Sequence, residues 1–370
     1  MHINLTYECL ECLLKQAKAT AKLYGEDSFA KDVQSQIARL FETLNLESQD
    51  TKSQTLQKTS AESLVDSAFY PQIKQKTTQI PCLTMQDKAK IQAELREFFA
   101  DKKIALDLDF EIPPTLLAVK VYEKIGAILK NPSPYQALKN SSIATAREYK
   151  KGFLEILSQK LAQEKCDELA ILTYALKICV LGNVLDYGAQ CSFDLEEESQ
   201  KILSANFAYF DLEKFAQKLQ KAKNLVFIGD NAGENEFDEI LIVALKSLYP
   251  HLEIFYFVRG AEIINDITLQ DLKNSDSRLF ALCRVVDSGV LSPGFIESLA
   301  NAEAKKIYHN ADVVLAKGMG NFESMEKVAR SDSRIFFLFK IKCEVVRRFL
   351  QKNLGDFVFW NPSSHKVIQR

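Results

Sequence analysis

The stretch that decides the fold is Leu225-Val-Phe-Ile-Gly-Asp-Asn-Ala-Gly-Glu-Asn-Glu-Phe-Asp238. Leu225, Val226, Phe227 and Ile228 form an uninterrupted apolar block, the pattern of a strand buried on both faces of a parallel sheet. The run stops at Gly229, and Asp230 and Asn231 follow at once. Phe237, Ile240, Leu241, Ala244, Leu245 and Leu248 then recur at helical spacing. Strand, tight polar turn and helix in that order put a carboxylate and an amide at the carboxyl end of a strand, where open α/β sheets bind ligands. The plainer reading is that Asp230 caps the helix beginning near Gly233 while Asn231 shapes the turn.

A second polar cluster favours the ligand reading. Ile254-Phe-Tyr-Phe-Val258 is the next strand-like block, and past Arg259-Gly260 the chain reaches Asn265-Asp266-Ile267-Thr268. Further blocks lie at residues 280–286, 312–316 and 334–339, and helical segments including 212–222 and 294–301 separate most of them. This alternation predicts a mainly parallel sheet with crossover helices. Upstream the periodicity is helical. A first helix follows Thr6, carries Leu10, Leu13, Leu14, Ala17, Ala21 and Leu23 and ends at Gly25; others cover 88–99, 115–129 after Pro113-Pro114, 144–161 and 167–181. The polar stretches 46–60 and 72–79 read as exposed. The expected class is α/β, Rossmann-like, with a largely helical domain at residues 1–205 before an α/β domain at 206–370.

Composition narrows the partners. Lys plus Arg total 47 against 49 for Asp plus Glu in 370 residues, a balance that gives no support to nucleic acid or a membrane surface as partner. The amino terminus lacks a basic segment followed by an unbroken apolar one, and no apolar run approaches bilayer length, so a cytoplasmic protein is expected. Its eight cysteines are scattered mostly through apolar segments, as reduced core thiols are. Cys9 and Cys12 fall one turn apart on the first helix. A zinc site would need two more ligands, and His2, His251, His309 and His365 are not spaced to supply them.

Asp230, Asn231 and Asp266 offer two carboxylates and an amide oxygen, a hard donor set that suits Mg²⁺ or Mn²⁺ better than Zn²⁺. Asn265 either braces its turn or joins that set. Glu234 is either a helix-start carboxylate or a neighbour of the ligands. Lys317 follows the block 312–316 and precedes Gly318-Met319-Gly320-Asn321, whose backbone N–H groups can meet a phosphate. Phe322-Glu323 stand where a dinucleotide fingerprint needs its third glycine, which disfavours a nicotinamide cofactor. Lys340 ends the block 335–339 on what reads as the same rim, with Lys342 as the competing cation. Asn183 and Asp186, after the helix ending near Leu181, either cap it or reach over the site. Asp287-Ser288-Gly289 is one more strand-end turn.

Taken in order, these motifs resemble those of the metal-dependent damage-control phosphatases, a family long catalogued as a domain of unknown function. The residues that carry the likeness are Cys9-Leu-Glu-Cys12 with Gln16-Ala17, Pro134-Tyr135 with Lys139, Gly182-Asn183 with Asp186, Gly229-Asp-Asn-Ala-Gly-Glu234 with Phe237-Asp238, Asn265-Asp-Ile-Thr268, and Lys317-Gly-Met-Gly-Asn-Phe-Glu323. The resemblance implies one divalent ion, Mn²⁺, Mg²⁺, Co²⁺ or Ni²⁺, held at Asp230, Asn231 and Asp266. It makes Lys317 a phosphate ligand, gives Lys340 the place of a pocket lysine, and sets Asn183, Asp186, Glu234, Gly318, Gly320 and Asn321 around a small phosphorylated metabolite. It puts the end of the Cys9–Cys12 helix near that pocket. The implied reaction is hydrolysis of a phosphate monoester with Asp230, Asp266 and Lys317 as catalytic groups, by water or through an aspartyl-phosphate.

Two other readings compete. Carboxyl methyl transfer from S-adenosylmethionine needs a glycine-rich loop after the first strand, where Asp230-Asn231 stands instead. A metal-dependent binding module without turnover would use the same ligands. The sequence predicts no oligomeric state.

Overall fold

The computed structural model describes residues 3–43, 83–106, 111–164, 167–181, 200 and 203–364. The polar stretches at 46–60 and 72–79 lie outside them, as do Cys82, Cys166 and Cys191. The early helical periodicity folds as expected into α1 (Tyr7–Lys22), α3 (Met85–Asp101) and α4 (Pro114–Leu129), joined by α2 (Asp27–Thr43), which was not expected, within a compact unit spanning His2–Pro134. Thr6 does precede α1, but its hydroxyl lies 3.3 Å from Cys9 Sγ and makes no cap to the backbone. α3 begins with a capping box between Thr84 and Asp87, and α4 with a proline whose missing N–H is not needed there. Leu116, Leu117, Val121 and Ile125 make the buried side of α4, and Tyr122 Oη donates to Gln16 Oε1 at 2.8 Å.

The second unit, Tyr135–Arg370, starts well before the seam expected near residue 205. Its elements are α5 (Gln136–Leu161), α6 (Glu168–Leu181), β1 (Tyr209–Phe210), α7 (Leu212–Leu219), β2 (Asn224–Ile228), α8 (Glu234–Leu248), β3 (Glu253–Val258), α9 (Leu269–Asn274), α10 (Leu279–Leu282) and β4 (Arg284–Asp287). α11 (Ala302–His309), β5 (Val313–Lys317), α12 (Met319–Ala329), β6 (Ile335–Lys340), α13 (Glu344–Leu350) and β7 (Phe357–Trp360) complete it. The seam moves because α5 and α6 bury their apolar faces on α8. Ile143, Leu157, Ile171, Leu176 and Cys179 share one core with Phe237, Ile240 and Leu241, and Phe153 meets Phe237 edge to face at 6.0 Å.

The seven strands form one sheet in the order β1-β7-β6-β5-β2-β3-β4, parallel throughout except where β7 runs against β6. From β2 the chain proceeds outward through β3 and β4, then returns to place β5 on the other side of β2. The gap between β2 and β5 is therefore the topological switch point, and the turns leaving those two strands flank it. β2, β3, β5 and β6 match the expected blocks closely.

Two elements differ from expectation. In the block 280–286 the first residues coil into α10, because Ser277 Oγ accepts from Leu279 N at 3.3 Å and starts a helical turn, so β4 begins only at Arg284. The helix expected at 294–301 is a single 3₁₀ turn, Glu297–Leu299; Asn301 accepts from Ala304 N at 2.9 Å and starts α11 instead of ending a helix. β1 and β7 were not expected. Among the described residues no helix is long and apolar enough to cross a membrane.

Candidate metal centre

β2 and β3 each deliver an acidic turn to the same edge of the sheet, and a short antiparallel bridge between the turns brings them together. Ala232 N donates to Asn265 O at 2.8 Å and Ile267 N to Asp230 O at 2.8 Å, so Asn231 and Asp266 face one another between these bonds. A pair in that position carries its side chains closer than a directly bonded pair does. The backbone of Asn265 thus braces the turn. Ile264, with φ at 47°, is a β-branched residue in the left-handed region, and Asp266 N closes the turn onto Ile263 O at 3.1 Å.

The carboxylates so gathered are buried. Asp230 is 7% exposed and Asp266 2%. Burial, and after it the charges of Glu234 and Asp266, push the Asp230 carboxyl well above the usual carboxylate range, against the pull of Arg259 and Lys342. Burial likewise pushes Asp266 up, to about 6, although Arg259 and Lys139 draw it down. Arg259 spans the pair: Nε donates to Asp266 Oδ2 at 2.7 Å, Nη2 donates to Pro293 O at 2.9 Å, and Nη2 stands 3.7 Å from Asp230 Oδ1.

Behind Asn231 lies a second layer of buried charge. Asn231 Nδ2 donates to Asp230 Oδ2 at 3.1 Å and to Glu234 Oε1 at 2.9 Å. Glu234 Oε2 is 2.9 Å from Lys317 Nζ, which also donates to Asp238 Oδ1 at 2.5 Å. Asp238 accepts further from Tyr256 Oη at 2.6 Å and Cys179 Sγ at 3.2 Å. Gly229 is required here, since a Cβ on it would meet Tyr256 Oη at 2.5 Å. Burial opposes the charge of Lys317, but Asp238, Cys179 and Glu234 overcome it and hold the ammonium protonated.

The residues fit a divalent cation on two counts. Asp230, Glu234, Asp238 and Asp266 against Arg259 and Lys317, all buried, are four acidic groups against two basic ones, an excess of two whose charging burial and mutual repulsion oppose. An uncompensated excess of that size is costly in a protein interior. The donors are hard, two carboxylates and an amide oxygen. Among the described residues no three His, Cys, Asp or Glu side chains are grouped so as to hold a metal ion, so the donor set here is two aspartates completed by the Asn231 amide.

Several expected site residues stand elsewhere or do something else. The Lys317 ammonium does end β5 at the switch point, but it is fully buried and held by two carboxylates, an arrangement unlike the open phosphate ligand expected. Asn321 has all its polar groups engaged: Nδ2 donates to Lys317 O at 2.5 Å and Gly229 O at 3.3 Å, while Oδ1 accepts from Phe295 N at 2.7 Å. It ties β5 to β2. Gly318 caps α12 with φ at 83°, and its missing Cβ leaves the space the Asp230 carboxylate occupies. Gly320 packs on Pro293 O, and Glu234 is the partner of Asn231. Lys340 lies 5.7 Å from the Phe357 ring centre, whereas exposed Lys342 is the lysine whose charge acts on Asp230. Asn183 and Asp186 lie outside the described residues.

The sequence reading passed over Arg259, whose only signal is its place at the carboxyl end of an apolar block beside two acidic turns. It also gave no role to Lys139, which is fully buried and ion-paired with Asp271 and Glu262, both at 2.7 Å.

Fold and site together define an open α/β protein whose switch point gathers two carboxylates and an amide. The model of the damage-control phosphatase ARMT1-like domain matches residues 5–358, and the chain belongs to that family. It is similar to a damage-control phosphatase of Pyrococcus horikoshii, 33% identical over 70% of this chain and 85% of that protein. A damage-control phosphatase of Archaeoglobus fulgidus is 30% identical over 65% of this chain and 80% of its own. The crystal structure of a DUF89 family protein from Pyrococcus horikoshii superposes with a TM-score of 0.65 at 26% identity, covering 98% of this chain and 100% of that one.

Proposed function

We propose that the protein is a divalent-metal-dependent phosphatase that hydrolyses monoesters of small phosphorylated metabolites. The observation that carries this reading is the buried excess of two acidic over basic side chains around Asp230, Asn231 and Asp266 at the switch point of the sheet. The names of the relatives, damage-control phosphatases, support the phosphatase part of it.

Asp230, Asn231 and Asp266 hold one ion, Mn²⁺, Mg²⁺, Co²⁺ or Ni²⁺, which when bound supplies Lewis acidity toward a phosphate oxygen. The remaining work falls to side chains. Arg259 holds Asp266 by one oxygen and keeps the aspartates close despite their repulsion. Lys342, exposed just beyond the end of β6 and close enough for its charge to act on Asp230, joins Lys340 as a candidate cation to meet the phosphate. The first N–H groups of α12, behind Gly318, add a positive dipole end on the same side. No disulfide joins the described cysteines, in keeping with a cytoplasmic setting.

Phosphate release from p-nitrophenyl phosphate and a phosphometabolite panel tests the reading. Activity is expected with Mn²⁺, Mg²⁺, Co²⁺ or Ni²⁺ and lost on adding EDTA or in Asp230→Ala. Metal-independent methyl transfer, or full phosphatase activity in Asp230→Ala, would overturn it.

A further inference from the structure

We infer that Glu234 is a positioning residue that decides which atom of Asn231 faces the cation, and that Lys317, the partner of Glu234, is not a phosphate ligand. The inference rests on the metal-site reading above and deepens it.

An asparagine side chain is nearly symmetric in shape, and turning it by half a revolution exchanges an oxygen for an amino group. Only the oxygen can ligate a hard cation. Here Nδ2 faces two carboxylate oxygens, Asp230 Oδ2 at 3.1 Å and Glu234 Oε1 at 2.9 Å. The reverse orientation would set three oxygens against each other, so the two carboxylates fix Nδ2 inward and leave Oδ1 for the ion. Asp230 is itself a ligand and shares its charge with the cation, which leaves Glu234 as the dedicated acceptor.

Glu234 is 1% exposed, and its other oxygen lies 2.9 Å from Lys317 Nζ. Lys317 in turn is balanced by Asp238, which Tyr256 and Cys179 hold in place. The chain of contacts runs from Cys179 and Tyr256 through Asp238, Lys317 and Glu234 to the Asn231 amide. Its last link orients a ligand, as partners behind metal-bound groups do elsewhere.

Glu234→Gln is the discriminating change. With Lys317 present, the glutamine must turn its oxygen to the ammonium and its amino group toward Asn231. Asn231 then satisfies it only by reversing, which presents Nδ2 to the ion. Removing the ammonium as well, in Lys317→Met with Glu234→Gln, frees the glutamine oxygen to accept from Asn231 again.

Mn²⁺ affinity, read from the free-ion electron paramagnetic resonance signal, tests this, with thermal unfolding as the check on folding. Wild type is expected to bind Mn²⁺. Glu234→Gln is expected to lose about 10- to 100-fold in affinity, and the double variant to recover most of it. Lys317→Met alone is expected to keep Mn²⁺ affinity, and its affinity for inorganic phosphate in the presence of Mn²⁺ should stay within about threefold of wild type. If wild type binds no Mn²⁺, the metal-site reading itself falls. If wild type binds and Glu234→Gln binds as tightly, or the folded double variant is no better than the single one, the positioning role falls alone. Loss of phosphate affinity in Lys317→Met would restore Lys317 as a phosphate ligand. Should Glu234→Gln fail to fold, the double variant decides: Mn²⁺ binding near the wild-type level supports the role, and a folded protein without binding overturns it.

Discussion

At the scale of single residues, the site depends on where atoms are missing as much as on where they are present. Gly318 combines φ at 83° with a position where a Cβ would overlap the Asp230 carboxylate, so glycine is needed twice over. Gly318→Ala is expected to push that carboxylate out of line with Asn231 and Asp266. Phosphate release with Mn²⁺ should fall by at least about tenfold, while unfolding in urea shows a loss of roughly 1 kcal/mol or more. The motif Lys317-Gly318-Met319-Gly320 was legible as special from sequence, where its backbone N–H groups were expected to meet a phosphate. Gly318 instead makes room for an aspartate of the neighbouring strand, a fact that depends on β2 and β5 being adjacent.

At the scale of elements, α5 ties down the turn that carries Asp266. Its Lys139 pairs with Asp271, and Asp271 forms the capping box of α9 with Thr268, two residues beyond Asp266. Burial by itself would raise the Asp271 carboxyl. The Lys139 charge and hydrogen bond, with those from Thr268 and Gln136, outweigh burial and hold it below its usual value. A carboxyl depressed in the folded state contributes stability above its unfolded value, and that contribution is lost as pH falls through the folded one. Lys139→Met should therefore cost most near neutral pH, roughly 3–5 kcal/mol for breaking a buried pair, and the gap from wild type should narrow below about pH 4. Urea unfolding of both proteins at pH 7 and pH 3.5 measures it. A gap that stays constant across that range would exclude the Asp271 pairing as its source. α5 itself was expected from periodicity, though starting later than Gln136, because the polar first turn hides a buried lysine that no apolar spacing reveals.

At the scale of the whole molecule, the proposed cation site makes stability depend on the ion, because the carboxylates gathered at the switch point are buried. A ligand that binds only the folded state stabilises it, by about 2.7 kcal/mol when present at 100 times its dissociation constant. Thermal unfolding should shift upward with Mn²⁺, return on EDTA, and stay unmoved in Asp230→Ala.

The sequence by itself determined the alternation of buried strands and helices, the acidic turns after β2 and β3, and the donor set they offer, because apolar runs and strand-end residues are local properties. It missed α2, β7 and the start of β4, where the outcome hung on which surface an element found to cover it. Only the tertiary structure decided that Lys317 faces Glu234 and Asp238 and that Arg259 spans two aspartates. A side chain's charge is written in the sequence, but the partner that takes up that charge is set by which strands lie side by side.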